Sequence, residues 1–382
     1  GMTTGMADRP RTALVLSGGG ARGAYQVGVL AGLVEQGFLP EGASGIDILV
    51  GSSAGAINVT ALAAYAGEFA VGLDKIENVW RRIRPSKVYE TGIASLGRTG
   101  VRWAWDLSFG GITRRVRAKS LLATTPLRGL LERHIPFERI DANLAAGSLG
   151  ALALIATDLI TSSGVVFLQA PPDTPGWTRR RWRIERTPVR VDHVLASSAI
   201  PIFFPSVEID RHHYSDGSIR NTAPLSPAIN LGAERIIAIG VSGSPPPDVT
   251  GTADEAPTIA QVAGVVLDAV MLDAIEVDVE HSERVNTSVL RAPQRNGEQP
   301  FRLVDVLWLR PTEPIREIAA ELSDRIPGVV RYLMSGLGPD EAVTELVSYL
   351  LFDAEFCGRL IELGRADVAR EREHVARFFN GA

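Results

Sequence analysis

Cysteine is almost absent from the 382 residues: Cys357 stands alone, so neither an internal disulfide nor a cysteine-based zinc site can form. That fits a reducing compartment. Lysine is nearly as scarce. Lys75, Lys87 and Lys119 are the only three among 39 basic residues, and the arginines are scattered over the whole chain in the manner of a genome-wide codon bias. Aromatic residues are 6% and charged residues 22%, which excludes disordered and collagen-like classes. A net charge of −5 argues against a dedicated nucleic-acid binder. Long apolar runs are missing as well. A membrane span needs about 18 consecutive apolar residues, and the best run, Gly150 to Ala156, is far shorter. Near the N-terminus, Arg9 and Arg11 are followed only by Ala13 to Leu16 before the chain runs into glycines, which does not read as a secretory signal. The expectation is a soluble, cytoplasmic protein.

What the chain does have is core material. At 45% apolar it can fill one large or two ordinary domains. Residues 12–16 (TALVL) form a β-favouring run that ends in Ser17-Gly18-Gly19-Gly20-Ala21-Arg22-Gly23, and a helical pattern from Ala24 to Gln36 follows, closed by Gly37. A second apolar run, Ile46 to Val50, ends in Gly51-Ser52-Ser53-Ala54-Gly55 and leads into an alanine-rich helix from about Ala56 to Ala66. Strand–loop–helix twice over predicts a parallel sheet with flanking helices. Further strand-like runs are Ala151 to Ala156, Gly164 to Gln169 and Arg235 to Val241.

Two stretches break this rhythm. Arg81 to Lys119 sets ten bases against Glu90 and Asp106, interleaved with Tyr89, Trp103, Trp105, Phe109 and five glycines. It reads either as a solvated insertion whose aromatics pack on the core, or as a lid that meets anionic head groups. Trp177 to Arg190 is a second basic and aromatic patch. Beyond the proline-rich linker Ser242 to Pro257 the chain turns mostly helical, with Leu267, Val270, Ala274 and Val277 predicted as the apolar stripe of an amphipathic helix. The division expected is a catalytic core at 11–242, with an insertion at about 81–125, and a helical extension at 243–382 packed on it.

The chemistry concentrates in three places. Gly51-x-Ser53-x-Gly55 lies between a strand and a helix, where the glycines permit the sharp turn that presents Ser53 as a nucleophile. Gly18 to Gly23 admits two readings. As G-x-G-x-x-G it is a dinucleotide fingerprint; as three consecutive glycines at a helix start it is a nest of amides able to hold an oxyanion. A dinucleotide site wants an acid at the end of the next strand, and Asp47 stands at that strand's beginning. Ser53 also needs a base. His281 could serve in a hydrolase-type triad, but too few strands precede Ser53 for that fold, and a lone histidine is usually a surface or core residue. Asp216, in Ser215-Asp216-Gly217-Ser218 with Asn221-Thr222-Ala223-Pro224 following, is the better candidate, because an aspartate fixed by a glycine turn accepts the serine proton directly.

Together these pieces resemble the patatin-like phospholipases, whose hallmarks are a G-G-G-x-R/K-G oxyanion loop, a G-x-S-x-G turn and a later D-G-G/A/S turn. Here they stand in order as Gly18 to Gly23, Gly51 to Gly55 and Asp216-Gly217-Ser218, with glycine commoner than serine at the last position. Ala196 to Pro205 is similar to the family's segment before the aspartate, and Ser348 to Asp353 to bacterial members. The resemblance implies a three-layer α/β/α fold with a mainly parallel sheet. It implies a lipid acyl hydrolase using a Ser53–Asp216 dyad, with phospholipid or another lipid ester as substrate and no cofactor or metal. Gly18, Gly19, Gly20, Ala21, Arg22 and Gly23 would form the oxyanion hole, Arg22 through its backbone N–H. Asp216, at an ordinary aspartate's pKa of about 3.9, would be ionised at neutral pH. A catalytically silent lipid-binding module and an acyltransferase on the same acyl-enzyme are the alternatives. Peripheral membrane contact falls to 81–119.

Overall fold

The computed structural model describes residues 9–90, 120, 122–242, 266, 269–271, 274–291, 303–328, 330–331 and 346–381. Alternate residues of each central strand enter different cores. Leu14 and Leu16 of β1 (Thr12–Leu16) join one apolar cluster while Ala13 and Val15 join the other. The same alternation runs through β2 (Ile48–Ser52), β3 (Ala151–Asp158) and β8 (Arg235–Ile239). Strands buried on both faces require a layer of helices on each side.

The nine-stranded sheet runs β5-β4-β3-β2-β1-β8-β9, where β4 is Ser163–Gln169, β5 Trp182–Arg186 and β9 Asp305–Leu309. From β3 to β9 every neighbour is parallel, whereas β4 and the short β7 (His212–Asp216) pair antiparallel with β3. Strand β6 (Val207–Ile209) pairs only with β7. On one face lie α1 (Gly23–Glu35), α2 (Ala54–Ala64), α3 (Phe69–Arg81) and the helix Ala354–Arg370. On the other lie Ser226–Asn230 and Ile275–Arg291. This is the three-layer, mainly parallel architecture expected, with helices at the C-terminus.

Three local expectations change. β2 begins and ends two residues later than the apolar run, and α2 starts at Ala54, directly after Ser53. β9 lies in the mostly helical C-terminal part and extends the sheet beyond β8. In the Ile275–Arg291 helix the apolar residues buried against the sheet are Ile275 and Val279, while Val277 is 65% exposed. Both sets repeat at helical spacing, and packing on the sheet selects the second; Leu267 lies outside the described residues. Among the described residues no helix is long and apolar enough to cross a membrane, and no group of His, Cys, Asp and Glu could hold a metal ion.

Candidate active site

Parallel topology brings the carboxyl ends of β1 and β2, and the helices they lead into, to one edge of the sheet. Between β2 and α2 the chain turns at Ser53 with φ 55° and ψ −126°, a conformation that costs a non-glycine residue roughly 1–3 kcal/mol and persists only where its surroundings impose it. Those surroundings are visible. The Ser53 amide donates to the Ser197 carbonyl (3.2 Å), and the Ser53 carbonyl accepts from Ala56 (2.9 Å). Gly55 lies so close to the Leu16 and Ser17 carbonyls that any side chain there would overlap them. The elbow is therefore locked between the first turn of α2 and the end of β1.

Asp216 reaches the same point through register. β2 pairs with β3 as far as Ser52 opposite Ile155, and β7 takes over that edge of β3 at the next residue, with Asp216 opposite Ala156. The Asp216 amide donates to Ala199 (3.0 Å), and the Thr157 hydroxyl donates to the Asp216 carbonyl (2.9 Å). The Asp-Gly-Ser turn then fixes the carboxylate, whose Oδ1 accepts from the Ser218 amide at 2.9 Å. Oδ2 has no partner, and neither has Ser53 Oγ; both are buried. Burial pushes the Asp216 carboxyl above the ordinary aspartate range, against the Ser218 amide and the adjoining Ser53 hydroxyl, which pull it down. The two side chains are neighbours without an aligned hydrogen bond. Asp216 is accordingly a stronger base than the unperturbed aspartate expected from the sequence.

The glycine loop closes the third side. A Cβ at Gly18 would stand 3.0 Å from Ser53 Cβ and 2.8 Å from Ser218 Oγ. Gly20, at φ 54°, lies against the Tyr349 carbonyl. Within the loop the Arg22 amide donates to Gly19 (3.0 Å) and the Gly23 amide to the carbonyls of Ala21 and Gly20. This corrects the expectation for Arg22: its backbone N–H closes the turn. Its guanidinium is buried too, donating to Ser348 Oγ (2.7 Å) and lying 4.2 Å over the Tyr349 ring, so it braces the loop from the C-terminal segment. Gly18 and Gly19 keep amides with no carbonyl partner among the described residues. Neither α1 nor α2 has an acid in its first turn, so the positive ends of both helices face the site uncancelled.

Two residues the sequence did not single out hold this loop at both ends. Gln26 donates to the Ser17 carbonyl (2.8 Å), and Asn58 donates to the Gly23 carbonyl (3.1 Å) and to Gln26 Oε1 (3.0 Å). Trp80 donates from Nε1 to Asn58 Oδ1 (3.0 Å). Gln26 and Asn58 are fully buried. The signal available was a pair of amide side chains on the apolar faces of two helices that follow the two glycine turns.

The model of the patatin-like phospholipase domain matches residues 14–229, more than half of the chain and all three turns of the site. The chain belongs to the patatin-like phospholipase family. NTE family proteins of Mycobacterium tuberculosis and Mycobacterium bovis are 25% identical over 239 residues, 62% of this chain and 50% of theirs, so the chain spans about half the length of these curated relatives. Among solved structures, human GIVD cytosolic phospholipase A2 in complex with methyl gamma-linolenyl fluorophosphonate and terbium chloride has a TM-score of 0.44 at 12% identity, covering 98% of this chain and 60% of that one. VipD from Legionella pneumophila has a TM-score of 0.36 at 13% identity, covering 97% and 67%.

The remaining sequence candidates of this patatin-like chain have other places. Asp47 accepts from the Thr12 amide (2.9 Å) and pairs with Arg9 (2.7 Å) at the opposite edge of the sheet, where no ribose could meet the glycine loop. No histidine is bonded to Ser53 Oγ; His193 caps its own helix by accepting from the Arg190 amide (2.9 Å), His212 meets Asp158, and His281 is exposed. Of the 81–119 stretch, residues 91–119 lie outside the described residues. Tyr89, one of its aromatics, is fully buried and donates to the Leu350 carbonyl (3.0 Å), so this ring packs in the core while Arg82, Arg84 and Lys87 beside it are exposed. The Trp177 to Arg190 patch carries β5, the strand at the sheet's end, and charge there discourages pairing with a further strand.

Proposed function

We propose that the protein is a lipid acyl hydrolase in which Ser53 attacks and Asp216 moves the proton, within a core at 11–242 braced by segments of 243–382. The observation that carries this reading is one pair of atoms. Ser53 Oγ and Asp216 Oδ2 adjoin each other in a buried site and have no other partner, whereas buried polar atoms are otherwise nearly always paired. Ser53 Oγ adds to the ester carbonyl as its proton passes to Asp216 Oδ2. The oxyanion formed meets the Gly18 and Gly19 amides and the Ala54 amide at the start of α2. Collapse breaks the ester bond, and the leaving alcohol takes the proton from Asp216. Water then attacks the acyl-serine, giving its proton to Asp216, and the second collapse releases the fatty acid as Ser53 recovers its proton. Activation of an aspartate by burial replaces the histidine of a triad. Labelling with a fluorophosphonate, followed by peptide mapping, tests the reading: the adduct is expected on Ser53 and absent from Ser53→Ala. A protein that hydrolyses esters but carries the adduct elsewhere would refute it.

A further inference from the structure

An apolar cavity of about 650 Å³, counted with its opening, lies between α2, α3 and the helix Thr125–His134. No residue of the Ser53, Asp216 or Gly18 to Gly23 site lines it. Ile57, Ala61 and Tyr65 form the wall along α2 and at its end, Gly72 and Trp80 the wall along α3, and Leu130 belongs to the third helix. Tyr65 packs against Gly72, so the chain doubles back there and both helices flank the cavity. From Ile57 to Tyr65, as from Gly72 to Trp80, the wall runs about 12 Å. The lining is aliphatic or aromatic except at Lys75 and His134.

Cations gather at one end. Lys75 Nζ stands 5.8 Å from the centre of the Tyr65 ring. Lys75 and His134 are exposed, as are Lys87 and Arg133. The four are neighbours: burial, and after it the charges of Arg133, Lys87 and Lys75, push the His134 pKa down. Among the described residues no ion pair joins Lys75, Lys87 or Arg133 to an acid. The acids of the same segments are engaged elsewhere, Glu68 by Arg139, Glu132 by Arg128 and Asp74 by Asn78. An apolar cavity that ends in unpaired cations is complementary to an anion carrying one alkyl chain, and its volume is in the range of a small-ligand site.

We propose that this cavity is a fatty-acid site separate from the candidate ester site, with the alkyl chain between α2, α3 and the helix Thr125–His134 and the carboxylate at Lys75 and Arg133. An extended chain advances about 1.2 Å per bond, so about ten carbons match the wall. Each buried methylene should tighten binding by up to about fourfold. The inference does not require Ser53 to be the nucleophile.

Calorimetric titration of decanoate into the full chain tests it. One saturable site per chain is expected, tightening from hexanoate through octanoate to decanoate. Decyltrimethylammonium, an alkyl chain of the same length with the opposite charge, should bind at least about tenfold more weakly. Lys75→Glu combined with Arg133→Glu alters two exposed positions and leaves the core alone. It should weaken decanoate at least about tenfold and reverse the preference between the two ligands. Ala61→Phe narrows the cavity midway and should flatten the gain from hexanoate to decanoate, with circular dichroism reporting the fold. Absence of a saturable site, equal binding of the two ligands, or decanoate binding unchanged by the charge reversal overturns the proposal. A chain-length gain that persists in folded Ala61→Phe places the alkyl chain outside the cavity and overturns it as well. No turnover enters these measurements, so they stand whichever residue carries the fluorophosphonate, and their failure leaves that labelling result untouched.

Discussion

Two aspartates on one pair of strands meet opposite fates. Asp158 closes β3 opposite Tyr214, and Asp216 closes β7 opposite Ala156, two registers away; both are 0% exposed. Asp158 accepts from the Ile160 amide (2.8 Å) and the Thr161 amide (3.3 Å), and it meets His212 Nδ1 (2.8 Å) and Arg183 (3.2 Å). Burial alone would raise its pKa, but these partners hold it to about 2. Asp216 is left with one oxygen unpartnered, and burial wins. A carboxylate near the rim with complete partners therefore keeps its charge, whereas one deep in the fold with an unpartnered oxygen is pushed toward holding a proton. The first arrangement ties the hairpin together; the second leaves an oxygen beside Ser53, the proposed nucleophile.

The largest effect should come from breaking the incomplete site. Ser53→Ala and Asp216→Asn are each expected to lower ester hydrolysis by at least about 10⁴-fold, measured on a nitrophenyl ester, with unchanged circular dichroism. Asp216→Asn should also unfold later than wild type at neutral pH. A carboxyl whose folded pKa is raised favours the fold below its unfolded value and loses that contribution as pH rises through the raised one. An amide removes the penalty. The gain in melting temperature should shrink as pH falls toward 4, and an aspartate that stabilised the fold at neutral pH would show the reverse.

Asp158→Ala sharpens the contrast from the other side. Removing the acceptor of the two amides and of Arg183 Nη1 should cost about 1–3 kcal/mol, read as a lower urea midpoint, while hydrolysis per folded molecule persists. The sign with pH is opposite. The contribution of Asp158 is present above the unfolded pKa of about 3.9 and is lost as pH falls toward about 2. Acid titration of stability should therefore be shallower in Asp158→Asn than in wild type between pH 5 and 2.

The legible part of this molecule is local. Strand, glycine turn and helix succeed one another within some fifteen residues at Gly18 and again at Ser53, so motif and element could be read together, and the sheet's parallel class followed. Asp216 was legible as a turn, but its arrival beside Ser53 depends on β7 replacing β2 along β3, a register no short window contains. Strand β9 joins β8 from some 66 residues downstream, and its apolar run is only five residues long. Gln26 and Asn58 were passed over because an amide on a helix ordinarily faces water, and only the packing of α1 on α2 turns both toward the loop carbonyls. The Arg22 amide fell to the wrong role for a related reason: a three-residue helical turn at Gly20–Arg22 closes on itself and consumes it.

The smallest expected effect lies at Ser218, where the chain departs from the glycine commoner in the family. Its amide holds Asp216 Oδ1 at 2.9 Å and would survive any substitution that keeps the turn. Its hydroxyl also draws the Asp216 carboxyl downward, against burial, and stands beside Gly18. Ser218→Ala removes only the hydroxyl. The carboxyl should then ionise at higher pH, so the acid limb of kcat/KM moves upward, while turnover above the limb changes by less than about tenfold, the range of one neutral hydrogen bond. Ser218→Gly should match it, since both lack the oxygen, although added backbone freedom at the turn lowers stability slightly. An acid limb that stays in place in both variants would mean that the amide alone sets the carboxylate, leaving the serine as a space-filling neighbour of Gly18.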